Sequence, residues 1–267
     1  MRFAIPVLLA LSLAPGEDLI SGYRSMYDLD FTGAHRIFSS FTREHPDDPM
    51  GPVSNAAAYL FSELERLRVL DSELFVDNSR FQSRQRLSAD PSVRRAFDDA
   101  LASGRQSAER VRAKSPDDRN ALLAGVLARG LEADYLSLID HRDFAALGTV
   151  KEGRALALRL IQTHPDCYDA YLAIGVENYL LSLKPAPVRW VLSWTGAQTS
   201  KEEGVAKLRV VAEKGDLLQP YAKMLLAVAA LRDNDRATAS RIMEQLVHDF
   251  PHNRLYAAEL NRMKGTK

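Results

Sequence analysis

The side chains that could bind a metal or transfer a proton are few in this sequence, and they are scattered along it. Six histidines are present: His35, His45, His141, His164, His248 and His252. His248 and His252 are four residues apart, but Pro251 between them breaks the helix that would place both on one face. His164 and Cys167 flank a turn without further ligands nearby, and a structural zinc site needs about four. We therefore predict no metal site and interpret the histidines as turn residues.

Catalysis by acid–base pairs or nucleophiles has no better support. Four acidic doublets could in principle supply general acids and bases: Asp47-Asp48, Asp98-Asp99, Asp117-Asp118 and Glu202-Glu203. Their positions at helix starts and on polar faces explain them without chemistry. The sequence has no glycine-rich phosphate loop, no HExxH and no GxSxG motif. We predict that the protein is not an enzyme and needs no cofactor.

The composition is that of a globular protein without a strong overall electrostatic field. Of the 267 residues, 46% are hydrophobic, which is enough for a sizeable core. Thirty-five basic residues balance 35 acidic ones, so no excess of positive charge favours nucleic acid as a partner. The single cysteine, Cys167, excludes an intrachain disulfide.

The first residues, MRFAIPVLLALSLAPGED, have the features of a secretory signal. Arg2 precedes an apolar stretch, Phe3 to Leu13, which ends in the small residues of a cleavage site around Ala14. We predict a signal peptide at 1–14 and a single exported domain at 15–267, periplasmic or secreted. The alternative is a buried first helix and a cytoplasmic protein.

One break recurs along the chain, each time at a proline. The prolines are Pro46, Pro116, Pro165 and Pro251. Twelve residues before them lie the small residues Ala34, Gly104, Gly153 and Ala239. Apolar residues follow each small residue at offsets of four and seven, on the same face of a helix. A small residue lets two helix backbones approach closely, so each segment predicts a helix packed against a neighbour.

A fifth copy, around Gly204, has Asp216 in place of the proline, and Gly215 there can end the helix in a left-handed conformation. Asp48, Asp118 and Asp169 are expected to cap the helices that follow them. The segments between are also helical in periodicity. The predicted helical hairpins cover about 17–45, 50–115, 118–164, 168–214 and 219–250, with a capping helix at 253–264.

These residues resemble the tetratricopeptide repeat (TPR) family over about 17–263. The matching positions are Gly22, Ala34, Phe38, Phe41 and Pro46 in one repeat, Tyr171, Ile174 and Gly175 at another helix start, and Ala239 with Pro251 in the last. The resemblance implies an all-α, right-handed α-solenoid of about five irregular hairpins. It also implies a protein-interaction role in which a concave surface holds a peptide or a partner helix.

The repeats are unevenly spaced. The small residues are 70, 49, 51 and 35 residues apart from Ala34 onward, whereas a TPR repeats about every 34 residues. The surplus falls near 71–91, 140–149 and 184–199, and such insertions often line the binding face. The first insertion overlaps an arginine-rich stretch, 78–95, which either binds an acidic partner or forms a solvated face.

Both tryptophans lie in the third insertion. Trp190 and Trp194 are four residues apart, so they share one face of a short predicted helix. They either fill a gap in the solenoid core or form an apolar patch for a partner helix, a lipid or a membrane surface. The stretch 170–250 also resembles the inclusion-body clearance proteins, which are divergent TPR proteins, and from these only the architecture is carried over.

The sequence therefore predicts a non-catalytic scaffold that binds a protein or peptide partner. The residues predicted to contact the partner are Trp190, Trp194, Tyr59, Tyr135 and Tyr179. The alternative function is an apolar-ligand carrier or a membrane-surface protein that uses residues 183–194.

Overall fold

The computed structural model describes residues 15–69, 88–182 and 200–265. The helices are α1 (Pro15–Tyr27), α2 (Phe31–Glu44), α3 (Met50–Arg66), α4 (Pro91–Lys114), α5 (Arg119–Leu138), α6 (Asp143–Thr163), α7 (Tyr171–Ser182), α8 (Lys201–Lys214), α9 (Gln219–Arg232), α10 (Arg236–Asp249) and α11 (Arg254–Gly265). No strand occurs in these three ranges, and the all-α prediction is confirmed. The predicted signal segment, Trp190 and Trp194 lie outside the described residues. Along the described chain, no helix is long and apolar enough to cross a membrane.

The helices pack as consecutive pairs. Each odd-numbered helix from α1 to α9 lies against the even-numbered helix that follows it, and each pair contacts the next. One apolar cluster runs through the stack from Leu19 in α1 to Leu260 in α11. Because each layer is buried mainly by its neighbours, the arrangement is the predicted α-solenoid.

The four prolines mark equivalent positions in the structure. α2, α4, α6 and α10 each end two residues before one of them, at Pro46, Pro116, Pro165 and Pro251. In every case the residue between donates its N–H to the carbonyl four positions earlier, at 2.7–2.9 Å: His45, Ser115, His164 and Phe250. Proline then prevents another helical turn, because it has no N–H and its ring would clash with the preceding turn.

Two of the expected caps differ in the structure. Asp118 accepts the N–H of Ala121 at 2.8 Å and caps α5 as predicted. Asp169 instead accepts the backbone N–H groups of residues 216–218, at 3.0–3.3 Å, and so fixes the start of α9 in the next layer. Gly215 is extended (φ −68°, ψ 147°) rather than left-handed. A Cβ at Gly215 would lie 2.7 Å from the Asp169 carboxylate, so close approach and not backbone handedness accounts for this glycine.

The small residues of the repeats lie where helices cross. A Cβ on Gly22 would lie 2.3 Å from the Phe38 ring, and a Cβ on Gly104 would lie 2.3 Å from Val53. At Gly153 the nearest atom, the Arg129 Cβ, would be 3.1 Å away. Ala34 and Ala239 are fully buried. Gly175 and Gly204 face each other where α7 and α8 cross, and a Cβ on Gly204 would lie 2.6 Å from the Tyr179 backbone nitrogen.

The two ends of the solenoid meet, so its concave side is closed. Asn253, before α11, donates from Nδ2 to the Tyr27 carbonyl at 2.7 Å. The His252 N–H donates to Asp28 at 2.9 Å, and Arg254 pairs with Glu65. The rings of Phe250 and Tyr27 lie edge to face with centroids 5.9 Å apart. The open concave surface expected for an extended peptide is therefore absent between these two ends.

Asn253 offers a test of this closure. Its Oδ1 accepts the N–H groups of Leu255 and Tyr256, while its Nδ2 holds the carbonyl of Tyr27. Asn253→Ala is expected to lower the free energy of unfolding by about 2 kcal/mol, because it removes a helix cap and leaves a buried carbonyl unpaired. Asn253→Ser keeps a neutral cap acceptor and loses the donor, so its cost in urea unfolding isolates the closure. A Ser variant as stable as wild type would show that the contact contributes nothing.

Candidate functional site

Three aromatic rings cross the interior where a binding groove was expected. Tyr27 from α1, Phe61 from α3 and Tyr221 from α9 form successive edge-to-face pairs. The ring centroids are 6.0 Å and 5.7 Å apart, which is the preferred range for aromatic pairs. We call these three residues the aromatic bridge. They join the first two hairpins to the fifth across the concave side.

One side of the aromatic bridge borders an apolar cavity of about 330 Å³. Its walls come from α1, α3, α9, α10 and α11, and we call it the Met-lined cavity. Four of the six methionines line it: Met26, Met224, Met243 and Met263. Methionine is unbranched and flexible, so such walls adapt to apolar groups of different shape. Ala258, which is exposed, lies at the rim.

The other side of the aromatic bridge borders a smaller cavity of about 110 Å³. It contains two acids, Asp134 of α5 and Asp169, and we call it the acid cavity. The two cavities share Met26 and the three rings of the aromatic bridge as walls. They are therefore adjacent chambers of one interior, and each is partly open to solvent.

Asp134 has unusual electrostatics for an aspartate. Burial raises its pKa to about 7, although a hydrogen bond from the Tyr221 hydroxyl favours the charged form. The pKa of Tyr221 is raised in turn, first by burial and then by the neighbouring carboxylate, so its hydroxyl stays protonated. Asp169 differs because three backbone N–H groups occupy its oxygens, while burial raises its pKa. Asp134 is thus the acid in this cavity with acceptor capacity to spare.

The three tyrosines predicted to contact a partner line neither cavity. Tyr59 packs on His35 with ring centroids 4.1 Å apart. Tyr135 is 3% exposed and stacks on Phe97 at 5.1 Å. Tyr179 is also 3% exposed and lies against the backbone of Gly204. Tyr59 and Tyr135 pack between neighbouring layers, Tyr179 packs within the α7–α8 pair, and the interior is lined by other aromatic residues.

The remaining reactive side chains are in structural environments. Cys167 is buried, and burial raises the pKa of its thiol, which disfavours the nucleophilic thiolate. Asp117 pairs with Arg159 at 2.7 Å across two layers. In the ranges that the structure describes, no three histidine, cysteine or acidic residues are grouped to hold a metal. Of the arginine-rich stretch, Arg94 and Arg95 are described: Arg94 pairs with Asp98 at 2.7 Å, and Arg95 donates from Nε to the Pro91 carbonyl at 3.3 Å.

One signal in the sequence could have located the acid cavity. Asp134 follows Leu127 and Leu131 at offsets of seven and three, so an acid occupies the apolar face of α5. An acid at such a position points to a paired or functional site, because burying an isolated charge is costly.

Comparison with known proteins adds one structural likeness to this geometry. No family model matches the sequence, and no curated protein matches it. A search of solved structures found the crystal structure of a thermophilic TPR protein from Thermus thermophilus. The two share 12% sequence identity with a TM-score of 0.48, over 94% of this chain and 99% of that one. By its own paired helices and small-residue crossings, the chain is an irregular α-solenoid of helical hairpins.

Proposed function

We propose that the protein is a non-catalytic interaction module that takes apolar side chains of a partner protein into the Met-lined cavity. The observation that carries this proposal is the cavity itself, an apolar chamber of about 330 Å³ with four methionines in its walls. Flexible methionine-rich surfaces suit partners of varied sequence.

The size of the cavity limits what enters it. Small-molecule and side-chain pockets occupy about 300–1,000 Å³, and this chamber lies at the lower end of that range. A whole partner helix, with a diameter of about 10 Å, does not fit beside the aromatic bridge. A segment on the rim that inserts one or two large side chains does fit. The proposed mode is therefore anchoring by side chains, and not a peptide running along the concave surface.

Filling the rim provides the test. Ala258→Trp places a large ring at the mouth of the Met-lined cavity, while Asn261→Trp adds the same ring on the same helix away from its walls. Peptides selected from a displayed random library on the wild-type protein should carry large apolar residues. We expect Ala258→Trp to weaken their binding at least about tenfold, or about 1.4 kcal/mol, and Asn261→Trp to leave it unchanged. Equal binding to all three proteins would refute the proposal.

A second function is favoured by the same volume. A chamber of this size and apolarity also accommodates an apolar small molecule. An apolar fluorescent probe that is displaced by fatty acids, but not by the selected peptides, would favour a carrier. The tryptophan segment, on which that alternative was based in the sequence, lies outside the described residues. Export also remains a prediction, because residues 1–14 lie outside them as well.

A further inference from the structure

Asp134 differs from the other interior acids because it lacks a cation or a set of amides. Glu63 accepts two hydrogen bonds from Arg66, and Glu177 lies 3.2 Å from Arg154. Asp169 accepts three backbone N–H groups. Asp134 accepts a hydrogen bond from the Tyr221 hydroxyl, and no Lys or Arg among the described residues pairs with Asp134. Asp134 is partly exposed at the cavity, and a carboxylate largely shielded from water is ordinarily paired, so it leaves a place for a cation.

The walls around Asp134 are suited to a cation that needs few hydrogen bonds. Tyr23 and the three rings of the aromatic bridge line the acid cavity, together with aliphatic side chains such as Leu172 and Val176. The faces of aromatic rings attract cations through their quadrupole, and such rings recognise quaternary ammonium groups. The oxygens of Asp169 are already occupied. The cavity thus offers one carboxylate and aromatic walls, with few further acceptors.

Size and hydrogen bonding select among cations. The volume of about 110 Å³ suits a compact group such as trimethylammonium, because pockets for drug-sized ligands occupy about 300–1,000 Å³. A primary ammonium brings three N–H donors and a guanidinium five, most of which would be buried here without an acceptor. A trimethylammonium group carries the charge without donors, and so avoids that cost.

We propose that the acid cavity binds a trimethylammonium group, with Asp134 as its counter-ion and the rings of Tyr23, Tyr27, Phe61 and Tyr221 as its walls. This site is independent of the proposed use of the Met-lined cavity, because the two differ in ligand chemistry and in test. A choline-type headgroup and a trimethylated lysine present the same group, so the chemistry is common to both sources.

Choline and its neutral isostere, 3,3-dimethylbutan-1-ol, separate charge from shape. Calorimetric titration should show choline binding to the wild-type protein with a dissociation constant on the order of millimolar, which corresponds to about −4 kcal/mol. The neutral alcohol should bind at least about tenfold more weakly. Asp134→Asn should abolish this difference while it keeps the shape of the cavity. Asp99→Asn makes the same change of charge on the exposed face of α4 and should leave the difference in affinity between choline and the alcohol intact.

The proposal is overturned if choline and the alcohol bind equally, if neither binds, or if Asp134→Asn retains the preference for choline. Circular dichroism of each variant confirms that the fold is kept, and Tyr221→Phe, which keeps the ring wall, should still prefer choline. Peptides with trimethyllysine or unmodified lysine then identify the source. Tighter binding of the trimethyllysine peptide than of choline assigns the site to a protein ligand, and the reverse assigns it to a small molecule.

Discussion

Gly204→Ala should lower the free energy of unfolding by about 3 kcal/mol, at the upper end of the cost of overpacking. A Cβ at Gly204 would lie 2.6 Å from the Tyr179 backbone nitrogen and 3.0 Å from the Gly175 carbonyl oxygen. Both neighbours are main-chain atoms of α7, so no side chain can rotate away. The helices must separate, which would also disturb the packing of Leu208 against Gly175.

Gly148 is the matched control for this substitution. It lies inside α6, is exposed, and a Cβ there would have no atom within 4 Å. Gly148→Ala should therefore raise the free energy of unfolding by up to about 1 kcal/mol, which is the helix propensity gained by alanine. Urea unfolding followed by circular dichroism measures both variants. If Gly204→Ala were as stable as Gly148→Ala, the close crossing of α7 and α8 would be wrong.

The helical hairpins could be predicted because their signals are local. A proline that ends a helix and a small residue twelve positions earlier depend on one or two turns of backbone. The contact of Gly204 with α7 follows the same rule, even though 29 residues separate it from Gly175.

The closure of the interior could not be predicted in this way. It joins Asn253 to Tyr27, 226 residues apart. Whether the ends of a solenoid meet depends on small rotations that add up over every layer, and uneven connections change each of them. The uneven spacing of the small residues shows where the insertions lie in the sequence, but it does not give the angles between neighbouring layers.

Helical register explains why Tyr59 and Tyr135 do not line the two cavities. Tyr59 precedes Phe61 by two residues, which turns it about 200° around α3. Tyr135 follows Asp134 by one residue, about 100° around α5. Position on the inward face of a helix decides which side chain lines the interior. Asp134 lies on that face and interrupts its apolar pattern.

Asp134 should also make stability depend on pH. Its pKa is about 7 in the folded protein and 3.8 in an exposed chain. Between these values the unfolded chain releases a proton that the folded protein keeps, so the stability of the wild type should fall as pH rises from about 4 to 7. At 1.36 kcal/mol per pH unit, the upper limit is about 4 kcal/mol. Asp134→Asn removes this loss and can still accept the hydrogen bond of Tyr221.

The difference between Asp134→Asn and wild type isolates this group from the others in the cavity. The titratable residues that face it are Tyr23, Tyr27, Tyr221 and Asp169. Burial raises the pKa of each tyrosine, which keeps it neutral, and burial also raises the pKa of Asp169 in both proteins alike. Urea unfolding at pH 5, 6, 7 and 8 should show the stability of the variant rising relative to that of the wild type by about 2–3 kcal/mol over this range. Parallel curves for the two proteins would mean that Asp134 is already ionised and hydrated at pH 5.

A trimethylammonium ligand favours the ionised carboxylate, so choline should reduce the loss of stability in the wild type and leave the stability of the variant unchanged.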